Sequence, residues 1–260
     1  MKTSVHEIAG QDQHHVGAGK PVISIRNLYK SFGSNHVLRD FSVELFKGES
    51  VVVLGKSGSG KSVLIKCIIG LLVPDSGSIQ VFDQGITELN HDEMDRLRVK
   101  IGFLFQSNAL YDSMTIRENL EFPLRRHWIE SSREQVNDLV MEALSAVGLA
   151  HTVDMMPIEL SGGMRKRIAL ARTLILKPGI ILYDEPTTGL DPITGREISH
   201  LMLEVQKKYN TTSLIISHDM NCIRIVADRI VMLIDGVCYA DGTYEELKKS
   251  TDPKVKQFFE

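Results

Sequence analysis

The stretch Gly-Lys-Ser-Gly-Ser-Gly-Lys-Ser at residues 55–62 fills every fixed position of the pattern G-x-x-x-x-G-K-[ST]. Before it, Val51, Val52, Val53 and Leu54 form an apolar run of the length and composition of a buried strand. After it, Val63, Leu64, Ile65, Cys67, Ile68 and Ile69 continue as an apolar helix face. The order strand, glycine loop, helix restricts the chain to an α/β core. In that arrangement the glycines let backbone N–H groups turn inward around phosphates, at the positive end of the following helix. Lys61 then reaches the β- and γ-phosphates of a nucleoside triphosphate, and Ser62 ligates Mg²⁺. The competing reading, a glycine-rich turn with no ligand, does not explain why Lys and Ser follow the last glycine or why a strand precedes the first.

A chain of 260 residues accommodates one large α/β unit with an inserted subdomain, and it needs no disulfide support. Cys67, Cys222 and Cys238 are far apart and form no C-x-x-C pair, which argues for free thiols in a reducing compartment. The net charge of -3 speaks against a dedicated nucleic-acid binder. No apolar run reaches the ~18 residues of a spanning helix, so any membrane role is expected to be peripheral. Residues 1–20 are polar and lack the apolar centre of a secretory signal, and they read as a flexible tail. His14 and His15 have no third ligand nearby, so they fit that tail better than a metal site.

Downstream, strands are expected from Val22, over residues 37–45 and 78–82, and over residues 101–105, with a charged helix over 92–100. Between the first two strands lies Tyr-Lys-Ser-Phe-Gly at 29–33, where Phe32, or its neighbour Tyr29, is placed to stack on a purine base; core packing is the alternative for either. Gln106 ends a strand where ligands collect in open α/β sheets, and there it contacts Mg²⁺ or the attacking water, unless it is a loop amide with structural hydrogen bonds alone. Residues 115–149 read as helical. Thr115 and Glu118 form a capping box, Val136, Leu139, Val140, Ala143, Leu144 and Val147 recur at helical spacing, and Gly148 is a stop. Pro123 is expected to interrupt the earlier helix, and Trp128 to pack.

At 160–164, Leu-Ser-Gly-Gly-Met precedes a helix-forming run and supplies a second anion-receptive helix start. An apolar strand over 179–183 then ends in Asp184 and Glu185, a pair suited to phosphoryl transfer: Asp184 for Mg²⁺, Glu185 to polarise the attacking water. The strand at 214–217 ends at His218, which can hydrogen-bond a γ-phosphate; a lone histidine there is otherwise a loop or capping residue. Asp235-Gly236 between apolar runs signals a hairpin, and short helices are expected from Thr243 and Asp252.

Phe32, residues 55–62, Gln106, residues 160–164, residues 183–185, Gly189-Leu-Asp191 and His218 stand in the order found in ATP-binding cassette (ABC) ATPases, and the resemblance covers nearly the whole chain from Val22. It implies an α/β fold with a P-loop NTPase core, an antiparallel β subdomain and an inserted helical subdomain. The cassette would occupy 21–260, the insertion about 107–160 and a C-terminal helical segment 243–260. The nucleotide, ATP, would be bound by Phe32, Gly55, Lys56, Ser57, Gly58, Ser59, Gly60, Lys61, Ser62 and Val63. Ser161, Gly162, Gly163, Met164 and Asp191 would complete the site across a dimer, because in this family two cassettes pair head to tail and each signature closes over the partner's nucleotide. Mg²⁺ would be held by Ser62, Gln106 and Asp184, with Lys61, Gln106, Glu185 and His218 as the catalytic set. The signature ends Gly-Gly-Met, so Met164 lacks the amide that the commoner Gln supplies; closure is still expected from Ser161, Gly162 and Gly163.

The wording around these motifs, including Val63 after the loop, Gln106-Ser-Asn-Ala-Leu110, Met164-Arg-Lys-Arg167 and Asp191-Pro-Ile-Thr194, resembles the ATPase of Mce/Mla-type lipid transporters. That resemblance implies a homodimer of cassettes, integral membrane permeases, an Mce-domain substrate-handling protein and a small regulatory subunit of the sulfate-transporter and anti-sigma-antagonist type. It implies a peripheral position on the cytoplasmic face of a bacterial inner membrane, phospholipid as cargo and no nucleic-acid partner. An importer of small polar solutes such as amino acids is the alternative. A soluble cassette acting on ribosomes or DNA is disfavoured by the single cassette and the absence of sustained heptads. Glu185 speaks against a non-hydrolytic regulatory cassette.

Overall fold

The computed structural model describes residues 19–127 and 132–260; residues 1–18, with His14 and His15, and Trp128 lie outside the described residues. The chain forms β1 (Ile23–Phe32), β2 (Asn35–Leu45), β3 (Ser50–Leu54) and α1 (Lys61–Ile68). It continues with β4 (Ser76–Val81), the two-residue β5 (Gln84–Gly85), α2 (His91–Val99) and β6 (Ile101–Leu104). Helices α3 (Ile116–Arg126), α4 (Arg133–Ala146) and α5 (Gly162–Leu174) follow, with two 3₁₀ turns ahead of α5. Then come β7 (Ile180–Asp184), α6 (Pro192–Tyr209), β8 (Thr212–Ser217), α7 (Met220–Val226), β9 (Arg229–Ile234), β10 (Val237–Gly242), α8 (Tyr244–Lys248) and α9 (Pro253–Lys256).

The strands make two sheets. One is antiparallel, in the order β2-β1-β4-β5; the other runs β10-β9-β3-β8-β7-β6 and is parallel except for the edge strand β10. β3 is buried on both faces, which is why its sequence is uniformly apolar rather than alternating. Val52 and Leu54 enter the core built with α3 to α7, whereas Val51 and Val53 enter the core shared with α1, α2 and the antiparallel sheet. At ~1.5–3 kcal/mol for each fully buried aliphatic side chain, this strand is a strong anchor for the loop that follows it. The β9–β10 turn has positive φ at both Asp235 (53°) and Gly236 (82°), the conformation that matches hairpin twist and that Asp-Gly tolerates.

Two expectations change. Tyr29 and Phe32 do not lie between strands: β1 is ten residues long and Phe32 pairs with Asn35 across the hairpin. The register slips that let β1 bend occur between Ile25 and Ser31, and they obscure its alternation in the sequence. Pro123 does not interrupt α3, which runs through it to Arg126. A proline inside a helix costs about 3 kcal/mol. Here the Thr115–Glu118 capping box and the buried face of Ile116, Leu120 and Leu124 hold the helix on both sides of it.

Candidate active site

The parallel strands end at one level. Leu54 pairs with Ser217, Asp184 with Ile216, and Leu104 with Tyr183, so the residues that leave β3, β6, β7 and β8 emerge along a single edge of the sheet. These are Gly55, Phe105 and Gln106, Glu185, and His218, at the carboxyl ends where α/β sheets bind ligands.

The loop from Gly55 to Gly60 has the backbone that its glycines permit. Gly58 (φ 77°) faces open space, while Gly60 (φ 103°) caps α1 in the left-handed region. A Cβ on Gly60 would lie 2.6 Å from Val37 Cγ1, so β2 packs directly against the loop and carries the Phe32 hairpin with it. Lys56, Ser57 and Gly58 are exposed, and Ser59 and Val63 are partly exposed. Lys61 is buried; its Nζ donates to the carbonyls of Gly55 (2.7 Å) and Lys56 (3.0 Å) and lies 4.0 Å from Glu185 Oε1. Burial pulls the Lys61 ammonium below its usual pKa, opposed by the charges of Glu185 and Asp184.

Asp184 and Glu185 end β7 next to that lysine. Ser62 Oγ donates to Asp184 Oδ1 over 3.4 Å, although the two are 122 positions apart. Burial, then the adjacent Glu185 charge, raises the Asp184 carboxyl above its usual range. Glu185 has φ 49°, a left-handed conformation uncommon for a side chain of its size, and its N–H donates to Ile216 O at 2.9 Å. His218 Nδ1 lies 2.8 Å from Glu185 Oε2, and Thr188 Oγ1 donates to the same oxygen at 3.3 Å. The carboxylate is therefore held from three sides by Lys61, His218 and Thr188.

Gln106 is exposed at the end of β6, and Phe32 is exposed at the tip of the β1–β2 hairpin with Lys30 Nζ 5.5 Å from its ring centroid. Sequence reading missed Lys166, hidden in the basic run of residues 165–167. It is 2% exposed, and its Nζ donates to Gln106 O at 2.9 Å. Burial pushes its ammonium down to about 8, with Asp184 opposing the shift. The one signal in the sequence is that position 166 falls on the apolar face of α5 beside Leu170.

The remaining predicted residues gather elsewhere. Ser161 caps α5, its Oγ accepting from Met164 N (3.2 Å). Asp191 caps α6, with Oδ1 accepting from Ile193 N and Thr194 N and Oδ2 from Thr194 Oγ1 (2.6 Å). The Thr194 hydroxyl, then backbone N–H groups, hold the Asp191 carboxyl below the usual carboxylate range. Ser161, Gly162, Gly163, Met164 and Asp191 line one hollow of about 470 Å³, and none of residues 55–63 lines it.

These residues fit a nucleotide with Mg²⁺. The Gly55–Gly60 loop turns through positive φ at Gly58 and Gly60 with Lys56, Ser57 and Gly58 exposed, and Lys61 Nζ rests on the loop's own carbonyls, where phosphate oxygens can replace them. The oxygens of Ser62 and Asp184 suit a hard cation shared with phosphate, and no cluster of three His, Cys, Asp or Glu side chains suggests another metal among the described residues.

Comparison with known proteins agrees. The sequence profile described as ABC transporter matches residues 38–188, more than half of the chain. The probable ribonucleotide transport ATP-binding protein mkl of Mycobacterium leprae is 42% identical over 91% of this chain and 68% of its own length. The intermembrane phospholipid transport system ATP-binding protein MlaF of Haemophilus influenzae is 37% identical over 91% of this chain and 89% of its own. The methionine import ATP-binding protein MetN of Campylobacter jejuni is 36% identical over 91% and 75%. Among solved structures, the dimeric post-hydrolysis state of the ATP-binding cassette MJ0796 bound to ADP and Pi superposes with a TM-score of 0.77 at 32% identity, covering 85% of this chain and 98% of that one. A P-loop beside a carboxylate pair and a strand-end histidine, on a fold shared with an ADP-bound cassette, places this chain in the ABC transporter family as an ATPase that uses ATP with Mg²⁺.

Proposed function

We propose that this chain is the ATPase subunit of an ABC system that moves lipid, most simply phospholipid, across a bacterial envelope, and that it works as a head-to-tail homodimer. The observation that carries the dimer is the separation of two half-sites. Lys61, Asp184, Glu185 and His218 cluster at the sheet edge, while the Ser161–Met164 helix start and Asp191 line a hollow to which the phosphate loop contributes nothing. One chain supplies the floor and wall of an ATP site and offers the lid of another.

In this reading Phe32 stacks on the base, and residues 55–63 enclose the phosphates. Lys61 exchanges its loop carbonyls for phosphate oxygens. Ser62, Asp184 and Gln106 would hold Mg²⁺, which would supply positive charge against the phosphates. Glu185 accepts the proton of the attacking water, and His218, already against its Oε2, fixes that carboxylate and senses the γ-phosphate. Ser161, Gly162, Gly163 and Met164 of the opposite chain close over the γ-phosphate, with Asp191 along the seam. ATP thereby stabilises the closed dimer, and hydrolysis removes that stabilisation. The cassette is taken as residues 21–260, with 107–160 as the helical insertion and 243–260 as a C-terminal segment.

Lipid cargo is supported by the likeness to MlaF, the ATP-binding protein of an intermembrane phospholipid transport system, and by the residues around the motifs. No described helix is long and apolar enough to cross a membrane; in this reading a permease carries the translocation. The partners in this reading are a permease dimer, an Mce-domain protein and a small regulatory subunit, on the cytoplasmic face of the inner membrane. Import of a small polar solute is the second reading, favoured by the likeness to MetN. Affinity purification of the full chain from detergent-solubilised membranes distinguishes them: a polytopic permease together with an Mce-domain protein is expected, and recovery of an amino-acid permease alone would overturn the lipid reading.

A further inference from the structure

Helix α5 does more than present Ser161. Lys166 Nζ donates to Gln106 O (2.9 Å) and Arg172 Nη2 to Asn108 O (3.3 Å), whereas the Thr173 hydroxyl donates to Ala169 O (2.9 Å) within the helix. The helix thus grips two backbone carbonyls just past the point where β6 ends and the chain leaves the sheet. Lys166 is the innermost of these contacts, and a buried ammonium is costly unless it is paired. It is met by the Gln106 carbonyl and by the charge of Asp184. Packing alone would be served by an apolar side chain. Lys166 is also three residues from Gly163, less than one turn, a distance of about 4.5 Å along a helix that transmits displacement as a rigid body.

We propose that Lys166 is a positioning residue that ties Gln106, in the site built on this chain's own phosphate loop, to Ser161, Gly162 and Gly163, which serve the partner's site. The inference rests on the roles given above to Gln106 and Ser161. A shift of Gln106 as ATP is bound or hydrolysed is carried through Lys166 to the start of α5, so the state of one site alters the lid of the other. The device is local: one carbonyl, one ammonium and the first turn of a helix.

The test is a double-mutant cycle on the full chain with Q106A, K166M and Q106A/K166M. K166M is expected to lower kcat about tenfold while ATP affinity, read with a fluorescent analogue, stays within about twofold. In an E185Q background, K166M should also raise several-fold the ATP concentration for half-maximal self-association measured by light scattering. Q106A/K166M should be no worse than Q106A, and K166R, which keeps a donor within reach of the carbonyl, should recover much of the loss. Wild-type behaviour of K166M, or effects of Q106A and K166M that multiply, would overturn the coupling. Wild-type turnover in Q106A would instead remove the role of Gln106 on which the inference stands. If K166M does not fold, K166Q is taken through the same cycle, with the same outcomes deciding it.

Discussion

His218 Nδ1 sits 2.8 Å from Glu185 Oε2, joining the residue after β8 to the residue after β7. The contact is made while Glu185 holds φ at 49°, a conformation that costs roughly 1–3 kcal/mol and persists only where the surroundings over-determine it. Here they do. The Glu185 N–H is bound to Ile216 O, and its two carboxylate oxygens face Lys61 on one side and His218 with Thr188 on the other. In the proposed reaction this strain falls on the residue assigned to the attacking water.

Glu185→Gln is expected to cut ATP turnover by about 10²–10⁴-fold, the usual contribution of a positioned base. The amide keeps the size of the side chain and leaves the phosphate contacts intact, so ATP affinity should hold and an ATP-bound dimer should accumulate. Phosphate release and sedimentation in ATP check the two halves of this prediction. Turnover at the wild-type rate would take Glu185 out of the reaction.

Gly60→Ala should weaken nucleotide binding more than Gly58→Ala. Both glycines have positive φ, so alanine carries a conformational cost of about 1–2 kcal/mol at either. At Gly58 the new methyl meets open space, whereas at Gly60 it would sit 2.6 Å from Val37 Cγ1 and 3.2 Å from Val37 O, so the loop or β2 has to move. Lys61→Ala is the reference for lost phosphate contact. Titration calorimetry with ATP should rank G58A above G60A, with K61A weakest; equal affinities for the two alanines would show that Val37 does not brace the loop.

The C-terminal segment should loosen only in acid. Asp252 accepts from Tyr239 Oη (2.7 Å) and caps α9 through Lys254 N and Val255 N, and these bonds, Tyr239 first, hold its carboxyl below the usual range. A depressed folded pKa gives a contribution that is complete above the ordinary carboxylate pKa of about 4 and is lost as pH falls through the folded value. Amide protection of residues 254–256, taken relative to the intrinsic exchange rate at each pH, should therefore fall below about pH 4. In Asp252→Asn, which keeps an acceptor but cannot titrate, that acid dependence should disappear. Protection that falls equally in the variant would assign the effect to another group.

Much of the architecture was readable because its signals are local. The capping boxes of Thr115 with Glu118 and of Thr243 with Glu246 join residues three apart, and the Asp235-Gly236 turn needs only two positive φ values. The apolar run before Gly55 is visible because a doubly buried strand leaves no polar positions. Signals that depend on distant partners were misread or unseen. Pro123 looked like a break, yet the buried face of α3 overrides it, and β1 hid the place of Phe32 behind its register slips.

The same division holds at the site. By itself the sequence determined which candidate groups are present: a phosphate loop with Lys61 and Ser62, acids at 184 and 185 and a second glycine-rich helix start at 161–163 are each defined by residue types at fixed short spacing, whereas His218, a lone histidine, drew its expected role from the resemblance. Only the tertiary structure decided which of them meet. The strand order β10-β9-β3-β8-β7-β6 brings Ser62 to Asp184 and His218 to Glu185, keeps Ser161 and Asp191 in a separate hollow, and buries Lys166 against Gln106. Those encounters follow from burying both faces of one sheet between two cores, a condition on the whole chain that no short stretch of it records.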